Sequence, residues 1–200
     1  MKQESTVKYI LRLTATLLAI CAVVALALAG VNAITKDRIA AVKAEKTQKA
    51  IQAVIPTVED LQEVSFTDET GMVRKVYRAV DLQAANDGET VPAGQNNYYA
   101  VEVAPLGFGG AITMMVGVNA TGEVTGISII SHAETPGLGA VAAASTDKGA
   151  AFRDQFAGLV SGITIGSGEN QIDSISGATI SSQAIVNGVN AALDCIKNMG

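Results

Sequence analysis

One histidine and two cysteines are present in 200 residues, and tryptophan is absent. Iron–sulfur clusters are usually held by about four cysteines, and structural zinc by about four cysteines or histidines, so this chain cannot assemble either centre alone. It has no Cys-x-x-Cys-His, the signature of attached haem. Any redox or metal chemistry must therefore use another kind of cofactor, or a partner's. Proline is scarce at 4, aromatics at 4% and charged residues at 16%, whereas glycine reaches 20 and hydrophobic residues 48%. That balance excludes a disordered tail, a coiled coil and a collagen-like chain. Apart from one apolar run, the length suits a single domain.

Charge is unevenly divided along the chain. Residues 1–50 carry 8 Lys+Arg and 3 Asp+Glu, a net of +5; residues 51–200 carry 6 and 16, a net of −10. An acidic globular part is a poor nucleic-acid binder, so no nucleic acid is expected as a partner. The basic part flanks an apolar run, which suits lipid headgroups and a bilayer. Residues 13–34 hold no charge. At about 1.5 Å per residue this run spans roughly 33 Å, enough for a bilayer core. A signal peptide is the alternative, since Ala27-Leu28-Ala29 and Val31-Asn32-Ala33 resemble cleavage sites. The run is longer than a signal h-region, which favours an uncleaved anchor. Lys2, Lys8 and Arg12 precede it, and Lys36, Arg38, Lys43, Lys46 and Lys49 follow, so the positive-inside count favours a cytoplasmic domain. Cys21 falls mid-bilayer and Cys195 near the other end; both read as small buried hydrophobes rather than disulfide partners.

Beyond the run, residues 35–54 read as an amphipathic helix with Ile39, Val42, Ile51 and Val54 as apolar contacts, ended by Pro56. Strand-like pieces over 64–80 flank a turn at Asp68-Glu69-Thr70-Gly71. Residues 84–97 read as a surface loop. Residues 98–103, 111–118 and 123–131 then form a meander of antiparallel strands, joined by Leu106-Gly107-Phe108-Gly109-Gly110 and Asn119-Ala120-Thr121-Gly122. Residues 137–156 look helical, in one or two pieces around Thr146-Asp147, and Thr164-Ile165 adds a short strand. Residues 181–198 close the chain as a helix, with Ile185, Val186, Val189, Ala192, Leu193 and Ile196 on one face. Strands followed by packed helices predict an α+β domain.

Two stretches can carry chemistry. Asp173-Ser174-Ile175-Ser176-Gly177-Ala178-Thr179-Ile180-Ser181-Ser182 crowds hydroxyls and small residues before the last helix. The first amides of that helix lack intrahelical partners and suit an anion such as a phosphate. Gly177 and Ala178 let the backbone approach it. Simple N-capping by serine or threonine is the alternative. A Walker-type loop does not fit, because no Lys or Arg lies between Arg153 and Lys197. Something must hold a phosphate there, and a covalent bond is one answer. The second stretch, His132-Ala133-Glu134-Thr135-Pro136-Gly137-Leu138-Gly139, holds the sole histidine. His132 and Glu134 read either as an acid–base pair or as a strand-end loop. No Gly-x-Ser-x-Gly elbow supports a serine hydrolase. Ser167-Gly168-Glu169-Asn170 reads as a solvated turn.

The order of an N-terminal apolar helix, Leu106-Gly107-Phe108-Gly109-Gly110, His132-x-Glu134-Thr135-Pro136-Gly137-Leu138-Gly139 and Ser176-Gly177-Ala178-Thr179 resembles the G subunit of the Rnf ion-translocating electron transport complex. The C subunit of the sodium-pumping NADH:quinone oxidoreductase is its relative. The resemblance covers nearly the whole chain. It implies FMN attached through its phosphate to a threonine hydroxyl, as a phosphoester made by a flavin transferase that recognises D-x-x-[ST]-G-A-[ST]. Asp173, Ser176, Gly177, Ala178 and Thr179 match that motif, making Thr179 the attachment residue, with Ser181 and Ser182 beside it. It also implies that the loop of His132, Glu134, Thr135, Gly137, Leu138 and Gly139 lies against the flavin, with Glu134, Thr135 and Leu138 nearest and His132 structural.

By the same resemblance the chain is an electron-relay subunit of a ferredoxin:NAD+ oxidoreductase, without catalysis of its own. Its partners are the other subunits of a membrane complex, the flavin transferase and the bilayer. Its globular domain faces away from the cytoplasm on the inner membrane, against the Lys/Arg count. The implied organisation is a cytoplasmic segment 1–12, a transmembrane helix 13–34, a helical linker 35–56 and an FMN-binding domain 57–200. Competing readings are the quinone-reductase C subunit, an anchored FMN protein of another system, and a non-redox scaffolding domain.

Overall fold

The computed structural model describes residues 3–55, 61–80 and 97–199. The first element is a helix, α1 (Gln3–Val54), of 52 residues. Ile55, just before Pro56, is already non-helical, because a proline disfavours the helical region for the residue before it. Large apolar side chains from Val7 to Ile34, among them Leu17, Leu18, Leu26 and Leu28, stand exposed along α1. An apolar run left exposed among the described residues suits a lipid environment. The hydroxyls of Thr14, Thr16 and Thr35 donate back to the carbonyls of Ile10, Arg12 and Val31 at 2.8–3.0 Å. These polar groups therefore need no water.

The chain divides into two compact units, residues 1–45 and 46–200. Two expectations fail in the first. Ile39 and Val42 are 63% and 50% exposed rather than packed, because only the later turns of α1 belong to the unit that holds the sheet. Cys21 is likewise exposed, whereas Cys195 is a buried free thiol.

In the second unit five strands, β1 (Leu61–Val64), β2 (Val73–Val80), β3 (Asn97–Val103), β4 (Thr113–Val118) and β5 (Val124–Ser131), form an antiparallel meander in chain order. Two side-chain turns set it up. The Asp68 carboxylate accepts from the amides of Thr70 and Val73 at 2.9 Å, and Asn119 Oδ1 accepts from the amides of Thr121 and Glu123. Such Asx-type bonds close a turn without help from the strands. The expected loop over 84–97 lies outside the described residues, except Asn97, which opens β3.

Alternation along β3 and β4 sends side chains to both faces of the sheet. Ala100 and Met115 point one way and join Ile130 under Ala50, Ile51, Val54 and Ile55 from the end of α1. Thr125 Oγ1 caps that end by donating to the Val54 carbonyl at 2.7 Å. A Cβ on Gly117 would lie 2.8 Å from the same carbonyl, so only glycine lets the helix end sit this close to β4.

Val101, Val103, Met114, Val116 and Val118 face the other way, into the main core. Covering them are a 3-10 helix (Gly139–Ala143), α2 (Asp147–Asp154) and α3 (Thr179–Met199). Thr146 caps α2, and Arg153 Nη1 donates to the carbonyls of Ala142 and Ala144, ending the 3-10 turn. Along α3 the expected face of Ile185, Val186, Val189, Ala192 and Leu193 is buried, with Ile196 packed at its margin. A parallel pair, β6 (Thr164–Ile165) and β7 (Gln171–Ile172), flanks α3, held by Asn190 to the backbone of Gly162 and Ile163. The fold is α+β, as expected.

Candidate functional site

A cleft of about 360 Å³ opens where three segments meet. Phe108 comes from the glycine-rich turn before β4. Glu134, Thr135, Leu138 and Gly139 come from the loop after β5. Gly177, Ala178, Thr179, Ile180 and Ser181 come from the start of α3. Its size is that of a small-molecule site.

The α3 segment is built for close approach. The Ala178 amide donates to the Ile175 carbonyl at 2.9 Å, and Gly177 sits at φ +76°, a conformation glycine adopts without strain. A Cβ there would lie 3.1 Å from Leu138 Cδ2. The helix ladder begins with the Ser182 amide donating to the Ala178 carbonyl, so the amides of Thr179, Ile180 and Ser181 precede it. Thr179, Ile180 and Ser181 all line the cleft, so their amides and the positive end of the helix dipole lie beside it, at the exposed residue Thr179.

The other hydroxyls of this stretch have settled partners. Ser182 is buried outside the cleft; its Oγ accepts from the Ile175 amide and donates to the Ala178 carbonyl, both at 3.0 Å. Ser181 is buried and donates its hydroxyl to Glu134 Oε2. The other Glu134 oxygen accepts from the Gly109 amide at 2.9 Å. Among the described residues Glu134 is the one ionisable side chain lining the cleft, and no Lys or Arg joins it there. The walls are otherwise apolar: Phe108, Leu138 and Ile180 are 71%, 43% and 58% exposed.

The cleft therefore brings together eight of the residues singled out from sequence: Glu134, Thr135, Leu138, Gly139, Gly177, Ala178, Thr179 and Ser181. Five others lie elsewhere. Asp173, Ser176 and Gly137 line a neighbouring depression with Lys148 and Gln155. There Gln155 Oε1 accepts from the Asp173 amide at 2.7 Å. Ser182 lies beneath the turn. His132 lines a separate hollow with Lys46 and Lys49, and its Nδ1 accepts from the Glu134 amide at 3.2 Å, a loop-bracing contact. Phe108 and Ile180 were not expected in the cleft. An exposed aromatic inside a run of glycines is the signal that identifies Phe108; Ile180 offers none, since one apolar residue at a helix start looks like core.

The residues present fit a flavin mononucleotide. A helix N-terminus and the Thr179 hydroxyl suit a phosphate, the apolar side chains of Phe108, Leu138 and Ile180 suit a ring, and a side chain at Gly177 would crowd Leu138 in the cleft wall.

Comparison with known proteins supplies the family. Residues 107–194 match the FMN-binding domain family, and residues 1–54 match the RnfG N-terminal region. The G subunit of the Na(+)-translocating ferredoxin:NAD(+) oxidoreductase complex of Acetobacterium woodii is 32% identical, over 96% of this chain and 94% of its own. The G subunit of the ion-translocating oxidoreductase complex of Methanosarcina acetivorans is 31% identical, over 95% and 96%. The G subunit of the proton-translocating ferredoxin:NAD(+) oxidoreductase complex of Clostridium ljungdahlii is 35% identical, over 78% and 80%. With an RnfG N-terminal region ahead of an FMN-binding domain and relatives aligned along almost their entire length, this chain belongs to the RnfG family, the G subunits of ion-translocating oxidoreductase complexes.

Proposed function

We propose that this chain is the electron-relay flavoprotein subunit of an Rnf-type complex and that its FMN is carried as a phosphoester on Thr179. Membership of the RnfG family and the match to the FMN-binding domain support the redox role. One observation carries the attachment: Thr179 is an exposed residue at the first turn of α3, lining a cleft that among the described residues has no lysine or arginine to retain a phosphate. A covalent bond supplies the retention that charge does not. When bound, FMN provides one-electron chemistry that the chain's own side chains lack. The chain's residues then hold the phosphate at the α3 N-terminus, flank the ring with Phe108, Leu138 and Ile180, and leave one edge of the cleft open for electron exchange.

Maturation requires a flavin transferase, whose recognition sequence runs from Asp173 to Thr179. That stretch is largely exposed, with its backbone pinned at Asp173 by Gln155, so an enzyme can reach it. The partners are the other subunits of the complex and the lipid around α1. The coupling ion differs among the relatives, sodium in one name and protons in another. The domain faces away from the cytoplasm, on the side where the transferase works; large domains cross regardless of flanking Lys/Arg. Protease added to intact spheroplasts should digest residues 46–200, and digestion only in inverted vesicles would reverse the orientation.

The intact mass of the denatured protein from its native host tests the central reading. An excess of one FMN less one water, mapped to Thr179, is expected. An unmodified mass after coexpression with the transferase would refute the attachment.

A further inference from the structure

Glu134 occupies an unusual position for a carboxylate. It is 6% exposed, and among the described residues no cation pairs with it. Burying such a charge is costly unless hydrogen bonds replace the lost water. Both oxygens are in fact engaged: Oε1 by the Gly109 amide and Oε2 by the Ser181 hydroxyl. These donors lie 25 and 47 residues away in sequence. One side chain thus joins the glycine-rich turn, the loop after β5 and the first turn of α3, the three segments that form the cleft.

The packing around it is specific to a carboxylate of this reach. A Cβ on Gly107 would lie 2.5 Å from Oε1, and one on Gly139 would lie 2.6 Å from Oε2. The two glycines let neighbouring backbone close over the carboxylate. The Gly109 amide can only donate and demands an acceptor, whereas the Ser181 hydroxyl can donate or accept. A glutamine can keep both contacts, its Oε1 accepting from the Gly109 amide and its NH2 donating to the Ser181 hydroxyl, while removing the charge.

We propose that Glu134 is a positioning residue that locks the three walls of the cleft together, and that its fixed negative charge holds down the midpoint potential of the flavin bound there. The second half rests on the proposed function. An electron added next to a buried carboxylate that no cation pairs with is disfavoured, and the effect is strong where water is excluded.

Two sets of variants of the full-length protein separate lock from charge. In Glu134→Ala, hydrogen exchange at the Gly109 amide should accelerate at least tenfold, since its acceptor is gone; this readout needs no flavin. Should that variant not fold, Glu134→Asp supplies the same measurement, because a side chain one methylene shorter cannot reach both donors. In flavin-loaded protein, Glu134→Gln should raise the midpoint potential, whereas Ser181→Ala, which keeps the charge and removes one donor, should not. Unchanged exchange at Gly109 would overturn the lock. Equal shifts in Glu134→Gln and Ser181→Ala, or none in either, would overturn the electrostatic role. A wild-type protein that takes no flavin would refute the cofactor reading and, with it, the electrostatic half, while the exchange measurement would still decide the lock.

Discussion

Five hydroxyls crowd residues 174–182, and their surroundings distinguish them. Ser182 is sealed beneath the turn with two bonds, and Ser181 is committed to Glu134. Ser174 and Ser176 border the neighbouring depression. Thr179 alone of the five is both exposed and in the cleft. Thr179→Ala should therefore abolish covalent flavin, read as the loss of the mass excess, with the melting temperature of the apoprotein unchanged. Ser182→Ala should do the converse. It leaves the Ile175 amide without its acceptor, at a cost of about 1–3 kcal/mol in urea unfolding. The Thr179 motif was legible in the sequence because it is contiguous. The partners of Glu134 were not, because nothing in a linear pattern shows that Gly109 and Ser181 come to lie on either side of one carboxylate.

Elements with a clean period were legible for the same reason. The α3 face repeats at helical spacing, and Ile185 and Val189 are fully buried as it requires. Ile185→Ala should cost about 2–5 kcal/mol in denaturant unfolding, and Ile196→Ala, at the margin of the core, clearly less. A cost for Ile196→Ala matching that of Ile185→Ala would mean that the face is misassigned. The meander was legible from alternation and turn residues; the equally short β6 and β7 differ because Thr164 and Ile165 are both β-branched, whereas Gln171 gives β7 no such signal. Ile39 and Val42 mislead because helical spacing reports a stripe and not what covers it. The Asp68 turn shows an element fixed by one ionisable group. Partial burial pushes its carboxyl up, but the Thr70 hydroxyl and the amides of Val73, Thr70 and Met72 outweigh it, and the net shift is downward. A depressed value means that the ionised carboxylate stabilises the fold. That contribution is present above the ordinary carboxylate pKa of about 4 and lost as pH falls through the lower folded value. Thermal melts from neutral pH to about pH 2 should show the wild type losing stability more steeply on the acid side than Asp68→Asn. Parallel curves would remove Asp68 from the acid response.

At the scale of the molecule, the boundary between anchor and domain falls inside a continuous helix. Residues 46–200 form one compact unit, so the last turns of α1 belong with the sheet. Ala50, Ile51, Val54 and Ile55 are each at most 5% exposed and cover Ala100, Met115 and Ile130. Full burial of side chains the size of Ile51, Val54 and Ile55 contributes about 1.5–3 kcal/mol apiece, and a domain's whole stability is about 5–15 kcal/mol. Where the chain is cut should therefore decide whether the remainder folds. A chain beginning at Lys46 keeps this cover and the capping bond from Thr125 to Val54, and should unfold cooperatively in urea. A chain beginning at residue 57 bares one face of β3, β4 and β5. It should aggregate, or unfold at a much lower urea midpoint. Equal midpoints for the two chains would mean that the end of α1 is only a tether, and that the sheet's second face is stable without it.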